Sequence, residues 1–226
     1  MVTAFIQYLT YGAGARMRNL TLACVLLASP ATATVTLVAF GDSLTEGYGL
    51  APEDGFVPQL QTWLTAAGQD VTVVNAGVSG DTTAGGLARL DWTLTPDVKA
   101  MIVTFGGNDM LRGTDPAETR ANMDGILKGA AAHGVKVLLV GMQAPGNYGP
   151  DYKAAFDAIY PELAAQYQVE FFPSFFGPLI GNLPPDPARL APFLQADGLH
   201  PNPDGVKKIV AGIGPAVVTL LGEAAP

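Results

Sequence analysis

A serine, a histidine and an aspartate in this sequence have the types and spacing needed for nucleophilic catalysis. Ser43 follows an apolar run that ends in Gly41-Asp42, and Asp197 and His200 lie three residues apart across a glycine. A serine hydroxyl attacks a carbonyl only when a base takes its proton, and histidine suits that role near neutral pH. A carboxylate that accepts from Nδ1 would leave Nε2 to face Ser43. These residues predict a catalytic triad.

Such a serine also needs donors that stabilise the negative charge of a tetrahedral intermediate. The chain offers three: the backbone N–H groups of Ser43 and Gly80, and the side-chain amide of Asn108. Simpler roles are a helix cap for Ser43 and turn positions for Gly80 and Asn108. Asp42 and Asp109 are expected to be structural, because a carboxylate near an oxyanion would oppose the chemistry.

The elements that must position these residues alternate between strand and helix. Apolar runs predict buried strands at residues 35–40, 71–76, 101–105, 135–140 and 169–172. Helical spacing and capping residues predict helices at residues 56–67, 83–92, 115–133, 151–167 and 206–221. This alternation predicts an α/β fold, a three-layer α/β/α sandwich with a five-stranded parallel sheet in the flavodoxin-like order 2-1-3-4-5. The loops after the first three strands then converge.

Proline and glycine disturb this pattern in three places. Pro161 predicts a kink or break in its helix, and Gly212, Gly214 and Pro215 weaken the last helix. Residues 173–196 have no clear periodicity, which predicts a functional loop or covering flap. Its apolar side chains either line an acyl groove beside the serine or cover one end of the sheet, and the sequence favours neither: Phe175, Phe176, Leu179, Ile180, Leu183, Phe193 and Leu194.

The composition of the chain limits the kinds of ligand and cofactor that we expect it to bind. A formal net charge of -8 over 226 residues repels phosphate backbones, which argues against nucleic acid and for neutral or apolar small molecules. Two distant histidines and one cysteine give no metal-ligand cluster, and the predicted chemistry needs no cofactor. Of the histidines, His133 falls at a predicted helix end beside Gly134, where it would interact with the helix dipole. His200 is therefore the expected base.

The first 33 residues have the pattern of a signal peptide. Arg16 and Arg18 precede an apolar run at residues 20–28, and small residues follow at 31–33. We expect cleavage after Ala33, and no stable membrane insertion because the run is too short to span a bilayer.

The N-terminal extension and signal peptide would thus occupy residues 1–33, with Met17 a candidate start, and a single domain would occupy residues 34–226. Alternatives for the apolar run are an ordinary buried helix or a lipoprotein signal at Cys24. If the signal is removed, Cys24 leaves with it, and the mature protein has neither thiol nor disulfide.

Four segments in order resemble the sequence blocks of the GDSL (SGNH) hydrolases: Gly41-Asp42-Ser43-Leu44, Gly80, Gly106-Gly107-Asn108-Asp109 and Asp197-Gly198-Leu199-His200-Pro201. The resemblance covers residue 35 to about residue 221 and is closest to a secreted bacterial group called thioesterase I, lysophospholipase or arylesterase. It implies the SGNH hydrolase fold, Ser43 as nucleophile with Asp197 and His200, and oxyanion donors from Ser43, Gly80 and Asn108. It also implies that Ala144 and Pro145 border the substrate groove.

The sequence therefore predicts an exported serine esterase, periplasmic or extracellular. Aryl or short-to-medium acyl esters are the expected substrates, and acyl thioesters and lysophospholipids are further candidates. A related alternative is an SGNH esterase that removes acetyl groups from carbohydrates. A more distant one is a flavodoxin-like binding protein without catalysis, although residues 41–44 offer no phosphate-binding glycine loop. The sequence carries no signal for an oligomeric state.

Overall fold

A parallel sheet of five strands lies at the centre of the protein, in a computed structural model that describes residues 34–181 and 187–224. The strands are β1 Val35–Gly41, β2 Val71–Gly77, β3 Val98–Thr104, β4 Lys136–Val140 and β5 Glu170–Phe172. They stand in the order β2-β1-β3-β4-β5, and every pairing is parallel. The predicted fold class and strand order are confirmed. Strands β1 and β3 are central and buried, as expected of apolar runs covered on both faces.

Helices cover the two faces of this sheet. In chain order the described helices are α1 Ser43–Glu46, α2 Phe56–Ala66, α3 Thr83–Thr93, α4 Gly107–Arg112, α5 Pro116–Ala132, α6 Pro150–Tyr167, α7 Gly177–Ile180, α8 Pro187–Leu190 and α9 Pro203–Ala224. One layer contains α2 and α9, which pack on each other, with α7 against α9. The other layer contains α3, α5 and α6, packed side by side in that order. The result is the three-layer arrangement that the alternating pattern predicted.

The last helix is longer than the predicted range of residues 206–221, although its glycines were expected to weaken it. Helix α9 runs without interruption through Gly212, Gly214 and Pro215. A Cβ at Gly214 would come within 2.6 Å of the Trp63 ring, so the glycine serves close packing between α9 and α2. Among the described residues α9 is the one helix long and apolar enough to cross a membrane, but half of its apolar window is buried inside the protein. That burial is typical of a core helix.

The structure differs from the sequence-based expectation at Pro161 and in residues 173–196. Pro161 lies inside a single continuous helix, α6, and does not break it. In the stretch predicted as an irregular loop, the structure has the short helices α7 and α8 and a 3-10 turn at Ala191–Phe193. The predicted signal peptide and Leu183 lie outside the described residues.

Candidate active site

Ser43 lies at the first turn after the central strand β1. The carboxylate of Asp42 caps helix α1 by accepting from the backbone N–H of Leu44 at 3.0 Å. The helix ends at Gly47, which adopts the left-handed conformation. Because β1 stops at Gly41 and α1 begins two residues later, the Ser43 side chain lies at the carboxyl edge of the sheet, where the loops after parallel strands meet.

His200 is held by a short, strongly hydrogen-bonded segment that precedes α9. Leu194 and Pro201 form an antiparallel bridge, and the backbone N–H of Gln195 donates to the His200 carbonyl at 2.7 Å. Gly198 has a φ of +69°, which gives the tight turn expected between Asp197 and His200. The imidazole therefore rests on a fixed backbone.

The side chains of the predicted triad form a continuous hydrogen-bonded chain. His200 Nδ1 lies 2.6 Å from Asp197 Oδ2, and His200 Nε2 lies 2.9 Å from Ser43 Oγ. Since a carboxylate can only accept, Nδ1 carries the proton and Nε2 is left to accept from the Ser43 hydroxyl. This is the geometry required of a nucleophile, a base and an orienting group.

Local hydrogen bonds keep Asp197 ionised. Its Oδ1 accepts from the backbone N–H groups of Leu199 at 2.9 Å and His200 at 3.0 Å. The Leu199 N–H, followed by the His200 imidazole, lowers the Asp197 pKa from its ordinary value of 3.8 to about 2. The acceptor that orients the imidazole is thus charged at any pH near neutrality.

The three predicted oxyanion donors line the same cleft. Within the described part of the chain, the backbone N–H groups of Ser43 and Gly80 have no hydrogen-bond acceptor, which leaves both available to a ligand. The Asn108 side-chain amide donates to the carbonyl of Asp81 at 3.0 Å and lies 3.4 Å from Asp42 Oδ2. These bonds orient the amide, and the 3.4 Å contact is too long to occupy its second N–H strongly.

Asp42 and Asp109 are buried, 2% and 1% exposed. Asp109 accepts from the backbone N–H of Thr83 at 2.9 Å and from its hydroxyl at 2.5 Å, which ties α4 to α3. Burial raises the Asp42 pKa to about 6, although the Leu44 N–H and His200 act in the opposite direction. Both carboxylates have the structural roles expected of them.

A cleft of about 330 Å³ opens over Ser43 and His200. Most of its wall is apolar: Leu44, Tyr48, Met110, Leu111, Met142, Phe176 and Leu199. Of six candidates for the substrate groove, two from the resemblance and four from the open alternatives for residues 173–196, only Phe176 lines this cleft. The other five do not: Ala144, Pro145, Phe175, Leu179 and Ile180.

Their positions explain this correction. Phe175 is buried against Phe56, with ring centroids 5.8 Å apart, because the chain after β5 turns into the layer of α2 and α9. Leu179 is buried, and Ile180 packs partly buried against the same core. Ala144 is buried in the core too, while Pro145 is exposed outside the cleft. Of the two alternatives left open for residues 173–196, the burial of Phe175 and Leu179 favours the one in which the stretch covers one end of the sheet.

The cleft wall instead comes from the loops that carry the catalytic candidates. Tyr48 follows α1, and its ring lies 4.7 Å from the His200 imidazole, centroid to centroid. Leu111 follows Asn108 in α4, and Leu199 precedes His200. In the sequence, these three residues could have been recognised as cleft-lining only because they lie next to the polar motifs. They do not belong to apolar runs.

Comparisons with known proteins identify the family. Residues 39–208 match the model of the GDSL-like lipase/acylhydrolase family. Esterase TesA of Pseudomonas aeruginosa is 41% identical over 201 residues, covering 88% of this chain and 96% of the relative. The Escherichia coli K12 thioesterase 1/protease 1/lysophospholipase L1 is 38% identical over 183 residues, covering 80% of this chain and 82% of the relative.

A solved structure supports the same assignment. The crystal structure of AlinE4, an SGNH-hydrolase family esterase, superposes with a TM-score of 0.66 at 40% identity, covering 83% of this chain and 97% of AlinE4. The chain therefore belongs to the GDSL-like lipase/acylhydrolase family and is a hydrolase of ester bonds.

Proposed function

We propose that the protein is an exported serine esterase that hydrolyses aryl and short-to-medium acyl esters through an acyl-enzyme on Ser43. The observation that carries the mechanism is the chain of contacts from Asp197 through His200 to Ser43, at 2.6 and 2.9 Å. Acyl thioesters and lysophospholipids are further candidate substrates, since one relative is named for both activities.

In the first half-reaction, Ser43 Oγ attacks the ester carbonyl while its proton moves to His200 Nε2. The imidazolium that forms is stabilised by the Asp197 carboxylate at Nδ1. Negative charge develops on the former carbonyl oxygen, and the N–H groups of Ser43, Gly80 and Asn108 are the donors available to it. Collapse of the intermediate breaks the bond to the alcohol oxygen, which takes the proton from His200.

In the second half-reaction, water attacks the acyl-enzyme and gives its proton to His200 Nε2. A second tetrahedral intermediate collapses, Ser43 Oγ recovers the proton, and the carboxylic acid leaves. Every proton is transferred at one imidazole nitrogen, so His200 acts as both base and acid in each half-reaction.

The cleft wall argues for an apolar acyl or aryl group. Leu111 and Leu199 are about half exposed at its mouth, and Met110, Met142 and Phe176 contribute side chains without charge. A sugar ester would meet few hydrogen-bonding side chains beyond the catalytic candidates, which disfavours a carbohydrate acetylesterase. An acetylated sugar compared with a p-nitrophenyl acyl series distinguishes the two.

Export rests on the sequence pattern of residues 1–33. We propose cleavage after Ala33, which leaves a mature domain that begins at Thr34. N-terminal sequencing of the enzyme recovered outside the cytoplasm tests this: Thr34 as first residue supports export, and an intact leader contradicts it.

The proposed nucleophile is tested by replacing Ser43 with alanine. Loss of a triad serine costs about 10⁶-fold in kcat, so Ser43→Ala should hydrolyse p-nitrophenyl esters at close to the background rate. Ser174→Ala, a serine outside the cleft, is the matched control and should retain parental kinetics. Parental turnover by Ser43→Ala would refute the assignment.

A further inference from the structure

We propose that Arg89 is a positioning residue for the oxyanion hole. It holds the segment from Val78 to Asp81 against the end of β1, and through Asp81 it sets the orientation of the Asn108 amide. The inference rests on the proposed function, because it concerns the donors that would stabilise the intermediate on Ser43.

The guanidinium of Arg89 bridges two elements that belong to different parts of the sheet edge. From α3, its Nε donates to Asp81 Oδ2 at 2.7 Å and its Nη2 donates to the Gly41 carbonyl at 2.9 Å. Its Cζ lies 4.4 Å from the centroid of the Phe40 ring and 5.7 Å from that of Phe105. The charge is thus fixed at the carboxyl end of β1, two residues before Ser43.

Asp81 connects Arg89 to two of the proposed oxyanion donors, Asn108 and Gly80. Its backbone carbonyl accepts from Asn108 Nδ2 at 3.0 Å, while its carboxylate binds Arg89. Its own N–H donates to the Val78 carbonyl at 3.1 Å, and the Val78 N–H donates to Gly41 at 3.1 Å. Gly80, between Val78 and Asp81, is therefore held on both sides.

The ion pair between Arg89 and Asp81 is partly buried, so we expect it to be stronger than an exposed one. The Arg89 and Asp81 side chains are 24% and 21% exposed, so water screens their attraction only partly. The guanidinium uses two of its donors in a fixed fork, which a lysine cannot reproduce. Since displacement of a catalytic group by about 1 Å can cost 100-fold in rate, such a clamp bears directly on kcat.

The experiment compares Arg89→Met, Arg89→Lys and Asp81→Ala with the parent. Arg89→Met keeps an apolar stem over Phe40 but loses both hydrogen bonds. Asp81→Ala keeps the carbonyl that orients Asn108 and loses only the ion pair, so it serves if the Arg89 variants fail to fold. Arg120→Met is the matched control, because Arg120 pairs with Glu162 on the surface outside the cleft.

Kinetics with p-nitrophenyl butyrate are normalised to active sites titrated with a fluorophosphonate, on proteins with parental circular dichroism. We expect kcat to fall about 10- to 100-fold in Arg89→Met, with KM nearly unchanged and Arg89→Lys intermediate. The phosphonate should react more slowly by a similar factor, because its phosphoryl oxygen uses the same donors. Asp81→Ala should also lower kcat, and the double variant should be no worse than Arg89→Met, since the Asp81 carboxylate acts through its contact with Arg89, which Arg89→Met already removes.

Parental kcat and parental phosphonate reactivity in both Arg89→Met and Asp81→Ala would overturn the inference. So would a rise in KM alone, which would indicate a role in ground-state binding. If the phosphonate fails to label Ser43 in the parent, the proposed nucleophile itself is wrong, and the inference falls with it.

Discussion

Asp42 introduces a carboxylate next to the site where negative charge would develop. It is needed at the helix start, because its Oδ1 accepts from the Leu44 N–H and orients the turn that presents Ser43. The position has an electrostatic cost, since burial raises its pKa from 3.8 to about 6. The folded state therefore binds this proton more tightly than the unfolded state does.

Asp42 makes the free energy of unfolding depend on pH. Because the folded pKa is the higher one, the contribution of Asp42 to the free energy of unfolding is fully present below pH 4 and is lost as the pH rises through 6. The shift corresponds to about 3 kcal/mol over that window.

Asp42→Asn should flatten this dependence. Asparagine caps helices as well as aspartate does and carries no charge, so the variant keeps the acceptor for Leu44 and removes the titration. We expect the free energy of unfolding to fall less in the variant than in the parent between about pH 4 and pH 7. Urea unfolding at several pH values measures it, with the exposed Asp91→Asn as control. Parallel curves for parent and Asp42→Asn would contradict the prediction.

At the scale of elements, the sequence predicted strands better than short helices. All five strands were found because apolar runs bounded by glycine or charge leave little ambiguity, although β3 begins at Val98, three residues before the prediction, because exposed Lys99 interrupts the run. Helices α1 and α4, with 4 and 6 residues, are too short to show periodicity. Both begin just after a glycine at a strand end, and they carry Ser43 and Asn108.

Helix α9 shows how tertiary packing overrides a local preference. Its glycines predicted weakness, yet Gly214 lets α9 approach the Trp63 ring of α2. Near the C-terminus of the same helix, a Cβ at Gly222 would have nothing within 4 Å. The two glycines share one secondary structure and differ only in surroundings.

Alanine substitutions at Gly214 and Gly222 should have opposite effects on the stability of the protein. Gly214→Ala should destabilise the protein by about 1–3 kcal/mol through overpacking against Trp63, despite the better helix propensity of alanine. Gly222→Ala should stabilise it by about 0.5–1 kcal/mol. Thermal unfolding of both variants beside the parent tests this. A stabilised Gly214→Ala would show that Trp63 moves aside without cost.

At the scale of the whole molecule, the site is assembled from loops far apart in the chain. Ser43 and His200 are separated by 157 residues and meet because β1 is central and the segment before α9 returns to its carboxyl edge. The strand order predicted from the alternating pattern placed the first three loops at that edge. Residue types and spacing, together with the family resemblance, identified the fourth segment, since no periodicity argument fixes where residues 197–200 fold back.

The substrate cleft was the part that the sequence did not predict. The sequence leaves open whether the large apolar side chains of residues 173–196 line the groove or cover one end of the sheet, because an irregular backbone does not determine which face is exposed. Phe175 and Leu179 are core residues, whereas Tyr48 and Leu111, with no neighbouring apolar run, line the cleft. Burial depends on contacts distant in sequence, and a local pattern does not contain them.

The central claim is that Ser43 is the nucleophile activated by His200. The most direct measurement is intact-mass and peptide analysis of the whole protein after reaction with a fluorophosphonate. A single adduct on Ser43, absent in Ser43→Ala and formed far more slowly in His200→Ala, is the predicted result. An adduct at another residue, or an unlabelled protein that still hydrolyses esters in the presence of the probe, would contradict the account.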